Sequence, residues 1–334
     1  RGSSVARRGP RGIDWRVASR ARRLSSDPTR ERVLRAVVAS SRRGTTTLRD
    51  LIRLGTSLFS KAGLDCQNSI GSAAADARYL AYFGLGLPYY EESFVDAKIT
   101  EPEVLEVLSL FEQRISRRVT APYITHEALY FGNSFYVDEN VLTPRSLMAD
   151  AFDALLRETT WQNERALDLC TGSGCIGITL ALKRPGLRVD LVDVSPKALQ
   201  VARINVKRYR LEDRVRVIQS DLFTRVEGPY SLIVSNPPYV ANAEYDALAP
   251  EFKNEPRLAL TAGDDGMDLV IPILRDAPRF LTPQGTLMVE VGFPAERLLS
   301  SRYPNVPFSW WRRAPDAPSG AFVLKNGYPV PAAD

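Results

Sequence analysis

The sequence predicts an α/β fold: a doubly wound, Rossmann-like sheet of about seven strands, preceded by a small N-terminal helical domain. Two observations carry this prediction. Between residues 166 and 291, apolar strand-like runs alternate with helical segments, which is typical of a mainly parallel sheet covered by helices. Two further runs, Phe308–Arg312 and Ala321–Leu324, flank a segment containing Pro and Gly and predict a closing antiparallel pair.

The 334 residues divide into four predicted parts, which fits a prior of about two folded domains. Residues 1–45 are rich in Arg and Ser with little apolar periodicity, and predict a disordered extension. Residues 46–120 carry apolar residues at helical spacing and predict a helical domain. Residues 121–145 hold aromatic runs about Gly132-Asn133 and predict a β-hairpin linker. Residues 146–330 hold the sheet.

Individual elements follow from apolar spacing and turn residues. In the helical domain, helices are predicted over 48–58, Ala73–Phe83 and Glu101–Val119. In the larger domain, the predicted helices are Leu147–Arg157, one beginning at Pro196, and Met267–Ala277. The predicted parallel strands are Ala166–Leu169, Val189–Val192, Val215–Ile218, Leu232–Val234 and Gly285–Val291.

The first strand runs into a glycine-rich turn at the start of a helix. Gly172, Gly174 and Gly177 have the spacing of a dinucleotide fingerprint, which is a weak signal alone. Such glycines let a ligand approach the backbone, and Thr171 stands among them. Asp168 places a carboxylate at the strand tip, where it can hold the cationic amino-acid end of S-adenosylmethionine.

Two further strands lead to acidic residues. Asp193 follows the second strand and can accept hydrogen bonds from both ribose hydroxyls, while Asp221 follows the third and can meet the adenine amine. Purely structural roles stay open for both residues. Asp193 can support the turn into the next helix, and Asp221 can be a loop or capping residue. The predicted cofactor site therefore comprises Asp168, Thr171, Gly172, Gly174, Asp193, Asp221 and Asn236.

The fourth strand is followed by Asn236-Pro237-Pro238-Tyr239, the most informative motif of the chain. Each proline fixes its φ near −65° and lacks an N–H, so the turn offers carbonyl acceptors without proline donors. The Asn236 side-chain oxygen and the Pro237 carbonyl can each accept one N–H of a planar amide or amine, and Tyr239 can lie flat against it. The motif predicts methylation of a nitrogen, with Asn236, Pro237 and Tyr239 as the catalytic residues.

Over roughly residues 46–325 the chain resembles the HemK-type protein-(glutamine) methyltransferases. The matching motifs are Asp168–Gly174, Asn236–Tyr239 and the block from Glu255-Pro256 to Gly263-x-Asp265-Gly266. The segment Thr143–Asp150 lacks the Pro-Arg-Pro-Glu-Thr-Glu pattern usual in the release-factor branch. Together with Tyr303–Trp310 it resembles the PrmB branch, which acts on a ribosomal protein. Ser231 stands where the family commonly has Asp.

The resemblance implies a class I S-adenosylmethionine-dependent methyltransferase that methylates a glutamine side-chain amide in large-subunit ribosomal protein L-three. The substrate-binding residues it implies are Arg145, Asn236, Pro237, Pro238 and Tyr239. Three other interpretations stay open. The substrate can be a peptide chain release factor or an adenine or guanine amine in nucleic acid, or the chain can be a ribosome-assembly binding protein on an inactive scaffold.

The charge distribution bears on these alternatives. Residues 1–48 contain 13 Arg and 3 acidic residues, a local +10, so residues 49–334 carry −5 of the total +5. Nucleic-acid enzymes usually present a basic surface, because neutralising phosphates supplies much of their affinity. An acidic body instead suits a basic protein substrate attracted by long-range steering. No direct nucleic-acid substrate is therefore expected.

The remaining composition favours a bacterial cytoplasmic enzyme. No apolar stretch approaches the ~18 residues of a membrane span. Cys66, Cys170 and Cys175 are too scattered for a disulfide framework or a zinc site, and the single histidine, His126, is interpreted as structural. Residues 1–48 resemble a mitochondrial transit peptide in composition, which is the alternative for localisation. The sequence predicts no metal and no particular oligomeric state.

Overall fold

The computed structural model describes residues 44, 46–89, 91–155, 164–292, 295–312 and 319–330. Nearly all of the predicted disordered extension, residues 1–45, lies outside the described residues, as does the end of the helix predicted to reach Arg157. Within the described ranges, every helix is too short or too polar to cross a bilayer.

In the part of the chain that the structure describes, the first body contains α-helices at Leu48–Lys61 (α1), Ala73–Gly84 (α2) and Glu101–Arg117 (α3). Helix α1 begins with a reciprocal capping box: the Asp50 amide donates to Thr47 Oγ1 at 3.3 Å, and the Thr47 amide donates to Asp50 Oδ2 at 3.1 Å. Helix α3 ends two residues before the predicted Val119, because Arg118 takes the left-handed conformation with φ 51°.

An ion pair lies fully buried between α2 and α3. Arg114 Nε donates to Asp76 Oδ2 at 2.9 Å, and both side chains have no exposed surface. Arg114 Nη2 also donates to the Asp65 carbonyl at 2.8 Å, while Asp76 Oδ1 accepts from the Ile70 amide at 3.0 Å. Because either charge alone would be costly in this apolar surrounding, the pair fixes the packing of the two helices.

A short helix and a hairpin connect this body to the sheet, at Ala121–Thr125 (α4), Glu127–Tyr130 (β1) and Asn133–Tyr136 (β2). The predicted hairpin is present, but its two turn residues are Phe131 and Gly132, with φ 52° and 78°. The turn therefore lies one residue before the predicted Gly132-Asn133. Before the hairpin, Pro122 stands in the first turn of helix α4, where its missing N–H costs nothing.

Among the described residues, seven strands form one sheet, which is the predicted α/β fold. The strands span Arg165–Leu169 (β3), Arg188–Asp193 (β4), Val215–Gln219 (β5), Tyr230–Ser235 (β6), Leu281–Gly292 (β7), Ser309–Trp311 (β8) and Ser319–Lys325 (β9). Their order across the sheet is β5-β4-β3-β6-β7-β9-β8. Strands β3 to β7 are parallel, and β9 is antiparallel to both β7 and β8. The chain leaves β3 for β4 on one side and returns to β6 on the other, a switch point beyond whose strand ends open sheets bind ligands.

Helices cover both faces of the sheet. They span Met148–Leu155 (α5), Cys175–Lys183 (α6), Pro196–Arg208 (α7), Asn242–Ala247 (α8), Val270–Asp276 (α9) and Ala295–Arg302 (α10). One core packs α5 to α7 against side chains such as Ala166 and Val234, and the other packs α9 and α10 against Leu167 and Ile233. Helix α9 begins after the predicted Met267, whose amide donates to Asp265 Oδ1 at 3.0 Å in a turn before the helix.

Replacing Arg114 with Ala should leave the Asp76 carboxylate buried without its partner. We expect the free energy of unfolding to fall by about 3–5 kcal/mol, measured by urea denaturation followed by circular dichroism. Asp96→Ala is the control, because it breaks the exposed Arg49–Asp96 pair (2.7 Å) and should leave the midpoint unchanged. Equal midpoints for the two variants would contradict a stabilising role for the buried pair.

Candidate active site

A cavity of about 310 Å³ opens at the carboxyl ends of β3 to β6. Seven of the predicted site residues line it: Arg145, Thr171, Gly172, Asp193, Asp221, Asn236 and Pro238. The other four, Asp168, Gly174, Pro237 and Tyr239, do not line it. The structure therefore brings together the glycine turn, the ends of two acid-bearing strands and the Asn236 turn around one space.

The glycine turn has the shape that its sequence predicts, for two different reasons. Gly172 and Gly174 have φ of 54° and 81°, a region that residues with a side chain rarely adopt. Gly177 instead serves packing, since an added Cβ would lie 2.3 Å from a methyl of Leu191. The turn thus presents backbone to the cavity, while helix α6 rests directly on the sheet.

Asp168 lies fully buried beneath this turn. Its Oδ2 accepts from Thr171 Oγ1 at 2.6 Å and from the Gly177 amide at 2.9 Å, so it ties the strand tip to the turn and to helix α6. Burial raises the pKa of Asp168 to about 7, against the opposing effect of these two hydrogen bonds. Its Oδ1 is also buried and has no hydrogen-bond partner within the described residues. Oδ1 is therefore the atom that a cationic group could engage.

Asp193 combines a structural role with a place in the cavity wall. Its Oδ2 accepts from the Gly172 amide and its Oδ1 from the Ser195 amide, both at 2.9 Å, so it supports both the glycine turn and the entry into α7. Burial raises its pKa, and these amides oppose the shift. Each carboxylate oxygen keeps a second lone pair for a ligand hydroxyl. Asp221 is exposed at the cavity edge.

Asn236 presents an unsatisfied acceptor to the cavity. Its Oδ1 is buried and lacks a hydrogen-bond partner in the part of the chain that the structure describes. Leaving such an acceptor unpaired costs about 1–3 kcal/mol, which a ligand N–H would recover. The preceding Ser235 fixes the position of the turn, because its Oγ donates to the Leu169 carbonyl at 2.9 Å.

The Asn236 turn packs against residues 260–266, part of the block that the sequence analysis identified between Glu255 and Gly266. The Val240 amide donates to the Leu260 carbonyl at 2.9 Å, and the Ala262 amide donates to the Val240 carbonyl at 3.0 Å. Gly266 has φ 77°, and a Cβ there would lie 2.2 Å from the Tyr239 carbonyl oxygen. The glycine therefore permits close contact between the two backbones.

Arg145 is held by a carboxylate. Its Nη1 and Nη2 donate to the two oxygens of Glu255 at 2.7 and 2.9 Å. The buried Glu255 also accepts from the Thr143 amide at 3.0 Å. This bidentate pair fixes the segment before α5 as one wall of the cavity. Arg145 is predicted to bind the substrate, and it lines the cavity, but its Nη1 and Nη2 already donate to Glu255.

Two groups near the cavity were missed by sequence reasoning. Glu290, near the carboxyl end of β7, is buried and accepts from Ser146 Oγ at 2.5 Å and from the Leu147 amide at 3.2 Å. Ser146 itself lines the cavity. The sequence feature that could have identified Glu290 is its position as a lone carboxylate inside the apolar strand Leu287–Val291.

The histidine lies elsewhere. His126 Nδ1 is 3.2 Å from the Val137 carbonyl oxygen, and its ring stacks on Tyr136 with centroids 5.7 Å apart. It is not part of the cavity lining. Across the described ranges, no group of three or more His, Cys, Asp or Glu is placed to hold a metal ion.

Comparison with known proteins shows strong similarity to one group. Residues 146–265 match the family model described as Methyltransferase small domain. The chain is 44% identical over 269 residues to the "Ribosomal protein uL3 glutamine methyltransferase" of Neisseria meningitidis serogroup B, covering 79% of this chain and 88% of that protein. Proteins of the same name from Xanthomonas campestris and Bradyrhizobium diazoefficiens are 45% identical over 268 residues and 38% over 299 residues. These matches cover 79% and 86% of this chain, and 86% and 93% of those proteins.

Gly266→Ala should displace the Asn236 turn. The positive φ costs an alanine about 1–2 kcal/mol, and its Cβ would also collide with the Tyr239 carbonyl. Gly132→Ala is a matched control, because Gly132 has nearly the same φ (78°) but open space around the added Cβ. We expect urea denaturation to show a larger loss of stability for Gly266→Ala. Equal losses would mean that the contact with Tyr239 does not constrain the turn.

Proposed function

The chain belongs to the ribosomal protein uL3 glutamine methyltransferase family, and from this membership we propose its reaction. It transfers a methyl group from S-adenosylmethionine to the side-chain amide nitrogen of a glutamine in uL3, the large-subunit protein L-three. The observation that carries the proposal is the buried Oδ1 of Asn236, which has no hydrogen-bond partner among the described residues and lies in the wall of a cavity that also contains the glycine turn.

S-adenosylmethionine fits the polar groups of the cavity. The remaining lone pairs of Asp193 suit the ribose hydroxyls, and the exposed Asp221 suits the adenine amine. Gly172 and Gly174 give the ligand access to the backbone. Asp168 lies beneath the glycine turn rather than in the cavity lining, and its Oδ1, which has no partner among the described residues, suits the ammonium group, which would lower the pKa that burial raises. When bound, the cofactor supplies the reactive methyl group.

The protein's contribution is to orient the amide. A carboxamide nitrogen is a poor nucleophile, because its lone pair is delocalised into the carbonyl group. In the proposed complex, Asn236 Oδ1 and the Pro237 carbonyl each accept one N–H of the glutamine, with Pro238 in the wall beside them and Tyr239 against the amide plane. These acceptors align the nitrogen and stabilise the positive charge that it gains.

Two surface properties support a protein substrate. Leu258 and Val194 line the cavity and are 58% and 47% exposed, so two apolar side chains are accessible at the opening. Residues 49–334 carry a formal −5, which attracts a basic protein. The same charge disfavours a nucleic-acid amine as the substrate. Methylation of a release-factor glutamine would use identical chemistry. The relatives and the segment Thr143–Asp150 favour uL3 as the substrate.

We assign selection of the protein substrate to the helical domain, residues 46–120. Three contacts couple this domain to the loop beside the cavity. Asn68 Nδ2 donates to Glu255 Oε2 at 3.4 Å, Arg118 pairs with Glu251 at 2.7 Å, and Asn254 Nδ2 donates to the Arg118 carbonyl at 3.0 Å. A substrate held by the helical domain would thus lie next to the opening. The proposed location of the reaction is the bacterial cytoplasm.

Asn236→Ala should lower kcat by roughly 10²–10³-fold, by analogy with the loss of one oxyanion-hole hydrogen bond. The affinity for S-adenosylmethionine, measured by calorimetry, should change far less, because the cofactor has its other contacts. Asn305→Ala, at an exposed surface position, is the control and should keep full turnover. Normal turnover by the Asn236 variant would remove the proposed role of its carboxamide.

The substrate can be identified by direct competition. We expect labelled S-adenosylmethionine to mark uL3 in a mixture of uL3, release factors and ribosomal RNA, and the label to be found on a glutamine by mass spectrometry. Label on a release factor alone would move the chain to the other branch of the family, and label on RNA would overturn the protein substrate.

A further inference from the structure

Glu290 carries a carboxylate that is buried next to the Asn236 turn. It is 3% exposed and stands in strand β7 among buried apolar residues. Strands β6 and β7 are paired with Ser235 opposite Val289, so Glu290 and Asn236 are the residues that follow this pair on neighbouring strands. An ionised carboxylate at such a position is costly unless hydrogen bonds compensate it. The hydrogen bonds that Glu290 accepts therefore indicate its role.

One hydroxyl connects Glu290 to the cavity. Ser146 Oγ donates to Glu290 Oε2 at 2.5 Å, a length typical of a strong charge-assisted O–H···O⁻ hydrogen bond. Ser146 Oγ also accepts from the Met148 amide at 3.2 Å, which uses one of its two lone pairs. Within the described residues no second donor lies within hydrogen-bond distance of Ser146 Oγ, although the Tyr130 hydroxyl is close to it. Ser146 lines the cavity. This hydroxyl can accept a proton at the cavity surface and pass its own to the buried carboxylate.

The surroundings of Glu290 place its pKa near neutral pH. Burial raises the pKa of Glu290 to about 7, against opposing effects of the Ser146 hydroxyl, the Leu147 amide and the charge of Arg145. Arg145 is itself engaged by Glu255. Tyr130, from the hairpin, faces the same region together with Cys175 and Asp168. Burial raises its phenol pKa well above the usual value, so the phenol stays protonated. On β9 the paired residue is Ala321, which carries no charge.

Methyl transfer requires a proton to leave the amide. The nitrogen has two protons before the reaction and one in the neutral product, so the methylated nitrogen must lose one. We propose that Ser146 and Glu290 form a proton relay that accepts this proton. This inference rests on the proposed function and assigns the proton acceptor of that same site.

The step balances in atoms and charge. The N–H bond breaks and its electron pair returns to the nitrogen, while Ser146 Oγ gains that proton. The original O–H bond of Ser146 breaks as its proton moves to the Glu290 carboxylate, which becomes a neutral carboxylic acid. After the product leaves, water that enters the cavity removes the proton by the reverse path.

Glu255 provides a matched comparison for a merely structural role. Glu255 and Glu290 are both buried, and both hold the segment Thr143–Leu147 by backbone and side-chain hydrogen bonds. If Glu290 only positions this wall of the cavity, Glu255→Gln and Glu290→Gln should both raise KM and have similar pH profiles. If Glu290 accepts a proton, only Glu290→Gln should change the pH dependence of the chemical step.

The first test measures single-turnover methylation rates against pH. In the unmodified protein the rate should fall as the pH decreases through about 7, because Glu290 becomes protonated. Glu290→Gln should be roughly 10²-fold slower and lose this acid limb. Ser146→Ala should be similarly slow, because the relay is interrupted at this half-buried side chain. An acid limb that persists in Glu290→Gln, or that is lost in Glu255→Gln, would overturn the relay.

The second test does not depend on activity. Infrared titration of the protein without ligands should show a carboxyl band that appears as the pH falls through about 7 and is missing from Glu290→Gln. The difference between the two proteins removes the contribution of Asp168, which titrates in the same range. In Ser146→Ala the band should persist at higher pH, because the carboxylate loses a stabilising hydrogen bond. Identical spectra for Glu290→Gln and the unmodified protein would refute the relay, whereas the proposed function is tested separately by Asn236→Ala.

Discussion

The cavity depends on the position of the Asn236 turn, which contacts with neighbouring segments must hold. Pro237 and Pro238 lack N–H groups, so this stretch contributes only acceptors to hydrogen bonding. Its position must therefore come from neighbours. Ser235 anchors it to the end of β3, and Val240 pairs with the backbone of residues 260–262. Behind it, the contact between Gly266 and the Tyr239 carbonyl leaves no space for displacement. The unsatisfied oxygen of Asn236 is held in place by these three contacts.

The wall formed by residues 143–147 is held in place by two buried carboxylates. Glu255 holds Arg145 and the Thr143 amide, and Glu290 holds Ser146 and the Leu147 amide. An apolar wall would cost less to bury, since each carboxylate must be desolvated. Hydrogen bonds, however, define direction, which dispersion contacts do not. The segment between hairpin and sheet is thereby held in one position relative to Asn236, as a site that aligns a nitrogen requires.

Three acids near the cavity show how environment separates residues of similar type. Asp168 and Glu290 both have a pKa raised to about 7 by burial. Asp168 accepts from a backbone amide and a hydroxyl with one oxygen and leaves the other unpaired, which suits a cation. Glu290 contacts a hydroxyl that reaches the cavity, which suits proton transfer. Asp193 uses both oxygens for backbone amides and still lines the cavity, so its structural and binding roles coexist.

The sequence by itself determined the features that depend on a residue's own backbone. The glycines of the turn after β3, the prolines after β6 and the period of apolar residues fix local conformation, and they predicted the sheet, its ligand-binding end and the Asn236 motif. Only the tertiary structure decided which oxygen of Asp168 is unpaired, that Arg145 is bound to Glu255, and that Glu290 adjoins Asn236 and Ser146. Arg145 and Glu255 are separated by 110 residues, and Ser146 and Glu290 by 144. Contacts at such distances depend on strand order and register, which local residue patterns do not encode.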